Sequence, residues 1–215
     1  MKIKKSVLTT LVVSAFAVAG SQASVTIATY NMGDALGTPT VSNGFTGASD
    51  FTTTRGPMTT SSIAGSSGPN GTAAVTTSNW TDPGGVWTIT LNLTGWTDVS
   101  IGNWSQQASN TGPRDYQVFV SYNGGVDFTS IGSVYAIING NSSQSGFALG
   151  AAADNNDAVV VEWRNVSTFS VRGNEDDIGT TGTSRFGNFE VTAIPEPTTA
   201  LLGGLGLLAL LRRRR

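Results

Sequence analysis

Apolar and polar residues alternate along much of this chain. Val86 to Leu93 reads VWTITLNL, with Trp87, Ile89, Leu91 and Leu93 interleaved by Thr88, Thr90 and Asn92. A period of two sends the two sets to opposite faces of a strand. Tyr116 to Tyr122 repeats it with Tyr116, Val118, Val120 and Tyr122 inward. Val159, Val161 and Trp163 alternate with Val160, Glu162 and Arg164, and Phe189, Val191 and Ala193 make a last strand. Val25 to Tyr30, Val99 to Trp104, Phe128 to Ile131, Val134 to Ile138 and Val166 to Val171 read as further strands. Nothing between them carries a helical repeat over three turns.

The punctuation agrees with this reading. Asn123-Gly124-Gly125 lies between two strand patterns, and Asn-Gly is a strong hairpin signal. Asp82-Pro83-Gly84-Gly85 marks another turn. About nine short strands separated by Gly, Asn and Ser loops predict an all-β fold, a single antiparallel β-sandwich of jelly-roll type. Asn31 to Thr77 is rich in Thr, Ser and Gly, and predicts long loops bridged by short strands.

Both ends break the pattern. Lys2, Lys4 and Lys5 precede the uncharged apolar stretch Val7 to Ala19, and Ser21-Gln22-Ala23 offers small residues at the two positions a signal peptidase reads. Residues 1–23 therefore read as a secretory signal peptide cleaved after Ala23, with the mature chain starting at Ser24. At the other end, Pro195-Glu196-Pro197 precedes an apolar run that closes at Leu211, and Arg212, Arg213, Arg214 and Arg215 follow. Arginines resist crossing a bilayer, so the run stops with its C-terminus in the cytoplasm. It has about fourteen residues where roughly 20 span a membrane, which suits a temporary anchor.

This order of triplet, apolar helix rich in small residues, and Arg cluster resembles the PEP-CTERM sorting signal. The resemblance covers residues 194–215, with Gly203, Gly204 and Gly206 inside the apolar part. An ordinary tail anchor, or a Gly-Gly tail cut by a rhomboid-like protease, are rivals that leave the triplet without a role. The resemblance implies processing by an exosortase, a membrane-embedded cysteine transpeptidase of Gram-negative bacteria, after transient residence in the inner membrane. It implies export to the cell surface or extracellular matrix, in a setting of exopolysaccharide, biofilm or floc.

Removing the ends changes the charge. Residues 24–193 form one domain by length. All three lysines lie in the signal peptide and four arginines in the tail. Counting Glu196, the mature part sets five arginines against fourteen carboxylates, a net charge of −9. Such a surface repels phosphate backbones, which argues against nucleic acid as a partner.

The chain has no cysteine and no histidine. Thiol nucleophiles, Ser-His-Asp triads and His-ligated zinc are thereby removed, and carboxylate chemistry remains. No cofactor is called for, apart from a candidate structural calcium. Its hard oxygen ligands would be Asp154 and Asp157 in one loop and Glu175, Asp176 and Asp177 in another. Trp80, Trp96 and Trp104 lie near strand ends and are candidate glycan contacts, whereas Trp87 and Trp163 sit on apolar strand faces. Ser121 to Phe128 resembles the Asp-box hairpin, with Asn123 and Phe128 in place of its Asp and Trp, which implies a structural turn. The expected role is structural or adhesive within extracellular polysaccharide, without catalysis. A carbohydrate-binding module and a carboxylate-dependent glycan hydrolase are the alternatives.

Overall fold

The computed structural model describes residues 22–33, 36–64, 73–81, 83–173 and 178–196. β1 (Val25–Tyr30) precedes four short strands, β2 (Pro39–Val41), β3 (Thr52–Thr53), β4 (Thr59–Ser62) and β5 (Ala73–Thr77). Next come β6 (Val86–Leu91), β7 (Trp96–Ile101), β8 (Trp104–Ala108), β9 (Asp115–Ser121) and β10 (Thr129–Ala136). The remainder are β11 (Ser142–Gln144), β12 (Phe147–Ala148), β13 (Val159–Asn165), β14 (Ser184–Gly187) and β15 (Phe189–Pro195). A 3-10 turn at Ala151–Ala153 is the one helical element among the described residues. The expected all-β, antiparallel class is what the chain adopts.

Three five-stranded sheets result, ordered β12-β7-β15-β1-β2, β10-β9-β13-β6-β3 and β11-β8-β14-β5-β4. The first and third lie end to end. Ala108 pairs with Ser184 and Ile101 with Val191, seven residues further on in each strand, so one ladder continues in register through both sheets. The seam between them falls at Gly102, Asn103 and Asn188, where side-chain amides replace missing ladder bonds. Asn103 Oδ1 accepts from Gly146 N and Asn188 Oδ1 from Met32 N, each at 2.7 Å. The second sheet packs across this long layer. Trp163 of β13 meets Phe186 of β14 at 5.1 Å and Phe189 of β15 at 5.5 Å.

Alternation places the core as the sequence predicts. Trp87, Ile89, Leu91 and Leu93 are fully buried, while Thr90 and Asn92 are exposed and Thr88 half-buried. Val159, Val161 and Trp163 are buried with their neighbours outward, as are Phe189, Val191 and Ala193. Burial of these side chains, at roughly 1.5–3 kcal/mol each, is the main stabilising term in a chain without disulfides.

Three expectations are corrected. Val99 to Trp104 is not one strand: β7 ends at Ile101 and β8 begins at Trp104, and between them the side chain of Asn103, rather than its backbone, accepts from Gly146 N. Phe128 to Ile138 holds one strand rather than two, with a register shift between Ile131 and Tyr135 around Gly132, whose φ is 70°. Val166 to Val171 is a loop. Its backbone bonds go to the 110–115 segment, from Val166 N to Asp115 O and from Val171 N to Gly112 O, and only Ser170 makes an isolated bridge. Residues 1–21 of the expected signal peptide, the C-terminal apolar run expected to form a helix, with Pro197 and Arg212–Arg215, and the acidic run Glu175–Asp177 lie outside the described residues. Among the described residues no helix is long and apolar enough to cross a membrane.

Candidate functional site

A cleft of about 670 Å³ lies beside the C-terminal end of β6. Its near wall is that strand's polar face, Thr90 and Asn92, which alternation turns outward. Its far wall is the segment 44–49, which runs along the same strand as an irregular extra edge. Asn92 N donates to Gly47 O at 2.7 Å, Ser49 N to Thr90 O at 2.9 Å, and Thr90 N to Ser49 Oγ at 2.8 Å. Gly47 is required there, since a Cβ would fall 2.2 Å from Asn92 O. Tyr30 secures the segment from below by donating its hydroxyl to Ser49 O at 2.9 Å. Burial, and then the Asp50 charge, push that hydroxyl far above the ordinary tyrosine value, so it stays a donor.

Phe45 and Trp96 close the floor, edge to face at 5.9 Å. Asp157 is exposed at the rim. The cleft thus offers hydroxyls, a side-chain amide, one carboxylate and an indole edge. That set hydrogen-bonds a polyol from several directions. Glycoside hydrolysis needs two carboxyl groups within roughly 5–10 Å across the scissile bond, and among the described residues Asp157 is the one carboxylate lining this cleft.

Trp96, a candidate glycan contact, and Asp157, a candidate calcium ligand, thus line the same cleft. The other two tryptophans are corrected. Trp80 is fully buried against Trp87 at 5.6 Å and Tyr116 at 5.8 Å, and its indole N–H donates to Thr77 O. Trp104 is 3% exposed and lies parallel to Phe186. Neither ring has a face left for a sugar, and Trp96, 8% exposed, presents only an edge. Thr46, Gly47 and Asn92 complete the cleft; Thr46 and Gly47 carry no motif, and Asn92 opens an Asn-Leu-Thr sequon that has no bearing on a cleft. The only available signal was Asn92 on the polar face of a strong strand.

Asp154 Oδ1 accepts from Asp98 N at 2.9 Å, a bond that ties its loop to β7. Among the described residues no three acidic side chains converge as a metal site. Glu162 takes an ion pair from Arg164 on its own face, and Arg164 lies between Phe119 and Phe128 at 4.5 and 4.1 Å. The hairpin at 121–128 is a structural turn. Asn123 Oδ1 accepts from Ser121 Oγ and Asp127 N, while the positive φ falls on Gly124 and Gly125.

At the C-terminal junction, Pro195 pairs with Trp96 in the β15–β7 ladder. Glu196 N donates to Gly95 O at 2.9 Å, and its carboxylate accepts from Asn155.

The PEP-CTERM protein-sorting motif matches residues 193–215. The chain carries this motif, the mark of an exported protein whose C-terminus is processed by an exosortase. By sequence it has no match among curated proteins. Among solved structures it is similar to the CBM22-1 xylan-binding domain of Paenibacillus barcinonensis Xyn10C, at 9% identity and TM-score 0.49 over 82% of this chain and 99% of that one. A CBM29-2 variant complexed with mannohexaose is similar at 10% identity and TM-score 0.42, over 81% and 94% of the two chains. A CBM4 module is similar at 15% identity and TM-score 0.39, over 66% and 94%.

Proposed function

We propose that this protein is an adhesive component of the extracellular matrix that holds neutral polysaccharide without cleaving it. The observation that carries this reading is the 670 Å³ cleft, lined by Thr90, Asn92, Thr46 and Trp96, with Asp157 at its rim as the one lining carboxylate among the described residues. Hydroxyl and amide groups on a rigid strand suit sugar hydroxyls, and a lone carboxylate leaves the second half of a hydrolase pair unfilled. The sorting motif supports the location, since it takes the domain outside the cell where such ligands lie. The strand order supports a jelly-roll reading of the sandwich. β6, β7 and β9 alternate between layers, the β9–β10 hairpin stays in one layer, and β12, β13 and β15 alternate again.

The test is calorimetric titration of the processed protein with neutral β-linked oligosaccharides of four to six units. Asn92→Ala and Asp157→Ala should each weaken binding about fivefold or more, the effect of a lost hydrogen bond or two. Unchanged affinity in both variants, or shortened products after long incubation, overturns the reading.

A further inference from the structure

A second cleft, of about 300 Å³, lies on the outer face of the long layer and shares no lining residue with the first. Its floor is a cross-strand pair, Arg185 of β14 opposite Gln107 of β8. Its rim is Asn110, Asn139, Arg172 and Thr183, brought together from three loops, with Arg172 and Thr183 both in the β13–β14 connection. The polar groups form a directed chain. Arg185 Nη1 donates to Gln107 Oε1 at 3.0 Å, Gln107 Nε2 to Asn139 Oδ1 at 3.5 Å, and Asn139 Nδ2 to Asn110 Oδ1 at 3.0 Å. Arg185 Nη1 also donates to Ser62 O at 3.2 Å.

The charge is out of place in this domain. Two of the five arginines of an acidic mature chain share one small cleft. The other three are otherwise engaged. Arg114 forms a fork on Asp115 at 2.8 and 2.9 Å, Arg164 pairs with Glu162, and Arg55 lies over the Trp80 ring. Among the described residues no carboxylate pairs with Arg172 or Arg185. Two arginines line one space, and among the described residues no acid balances them; a bound carboxylate relieves their repulsion through the strongest class of hydrogen bond. A volume of this size is at the lower end for ligand sites and takes about one sugar ring. The amides and Thr183 would meet its hydroxyls.

We infer that this cleft binds a uronate unit of an acidic polysaccharide, with its carboxylate between Arg172 and Arg185. The first cleft takes neutral sugar, so the two sites together would bridge unlike polymers. This second assignment does not rest on the first.

The processed protein is titrated with galacturonate oligomers, with the same oligomers as methyl esters, and with a sulfated galactan oligomer of equal length. The galacturonate should bind, and esterification should weaken it about tenfold or more, the scale of one charge-assisted contact. Arg185→Gln should cause a similar loss, and Arg185→Lys a smaller one because a point charge cannot form the fork. Arg172→Gln guards against misfolding, because Arg172 is exposed and makes no side-chain bond among the described residues. It too should weaken binding several-fold. Asn92→Ala in the first cleft should leave galacturonate binding unchanged.

Equal binding of ester and acid, or full affinity in Arg172→Gln, overturns the inference. The second result is what neutralisation of Arg172 by the carboxylates that follow it in sequence, Glu175 to Asp177, would give. Equal binding of the sulfated oligomer assigns the site to negative charge alone and overturns the uronate reading.

Discussion

Asn155 donates its side-chain amide to the Glu196 carboxylate, so the second residue of the Pro-Glu-Pro triplet is tied to the folded domain. The same Asn155 accepts from Gly95 N through Oδ1 at 2.7 Å, and Gly95 O accepts from Glu196 N at 2.9 Å. Asn155 adopts a φ of 55°, a conformation asparagine tolerates better than most residues. The end of the sandwich and the start of the sorting signal are therefore one structure up to Glu196.

Asn155→Ala should loosen this junction and little else. Exchange of the Glu196 amide should quicken by about tenfold, corresponding to roughly 1.4 kcal/mol of local stability. The melting temperature should move by no more than about 2 °C, because the bond is exposed. Mass spectrometry with deuterium labelling reads the first, and the same samples should have lost Leu201–Arg215 through processing. An unchanged exchange rate at Glu196 would show that the Gly95 bond holds the junction alone.

The second prediction concerns Phe51, which the sequence pattern left in a loop. Phe51 is fully buried and lies 4.8 Å from Phe186 and 5.3 Å from Trp87, with Trp163 and Phe189 at its edges. Phe51→Ala should cost roughly 3–5 kcal/mol, from lost burial plus the cavity it leaves. Denaturant titration measures it. A cost under about 1 kcal/mol would mean that the site collapses or that Phe51 does not fill the core.

Phe51 and Trp87 also show what the sequence could and could not reveal. Trp87 lies in an unbroken alternation, so its face was readable from period alone. Phe51 stands between the irregular 44–49 segment with Asp50 and the two-residue strand β3, with no repeat to place it. Its position depends on Gly37, whose carbonyl accepts from Phe51 N at 2.8 Å, a contact across the fold. The cleft follows the same division. Asn92 was visible on a polar strand face, whereas the 44–49 segment pairs with β6 through one isolated bridge and the Ser49 hydroxyl. Strand ends carry a similar ambiguity, and the indoles of Trp80 and Trp104 turned inward because core partners outcompeted solvent there.

The last prediction is a pH dependence at Asp115. Burial alone would raise its carboxyl, but the Arg114 fork and the Ser167 hydroxyl, donating at 2.7 Å, together with the Arg114 charge, outweigh that and hold it below the ordinary carboxylate range. A folded-state value below the unfolded one means that the carboxylate stabilises the fold above the unfolded value, near pH 4. That contribution is lost as pH falls through the folded value. The pair also ties the 110–115 segment to the Ser167 loop, which lacks a ladder of its own, so acid should loosen this end of the sandwich first. Asp115→Asn keeps the shape and removes the titration. Its stability should be lower than wild type at pH 7, and the two curves should converge as pH drops from about 4 to 2. Parallel curves over that range would assign the acid sensitivity to other carboxylates.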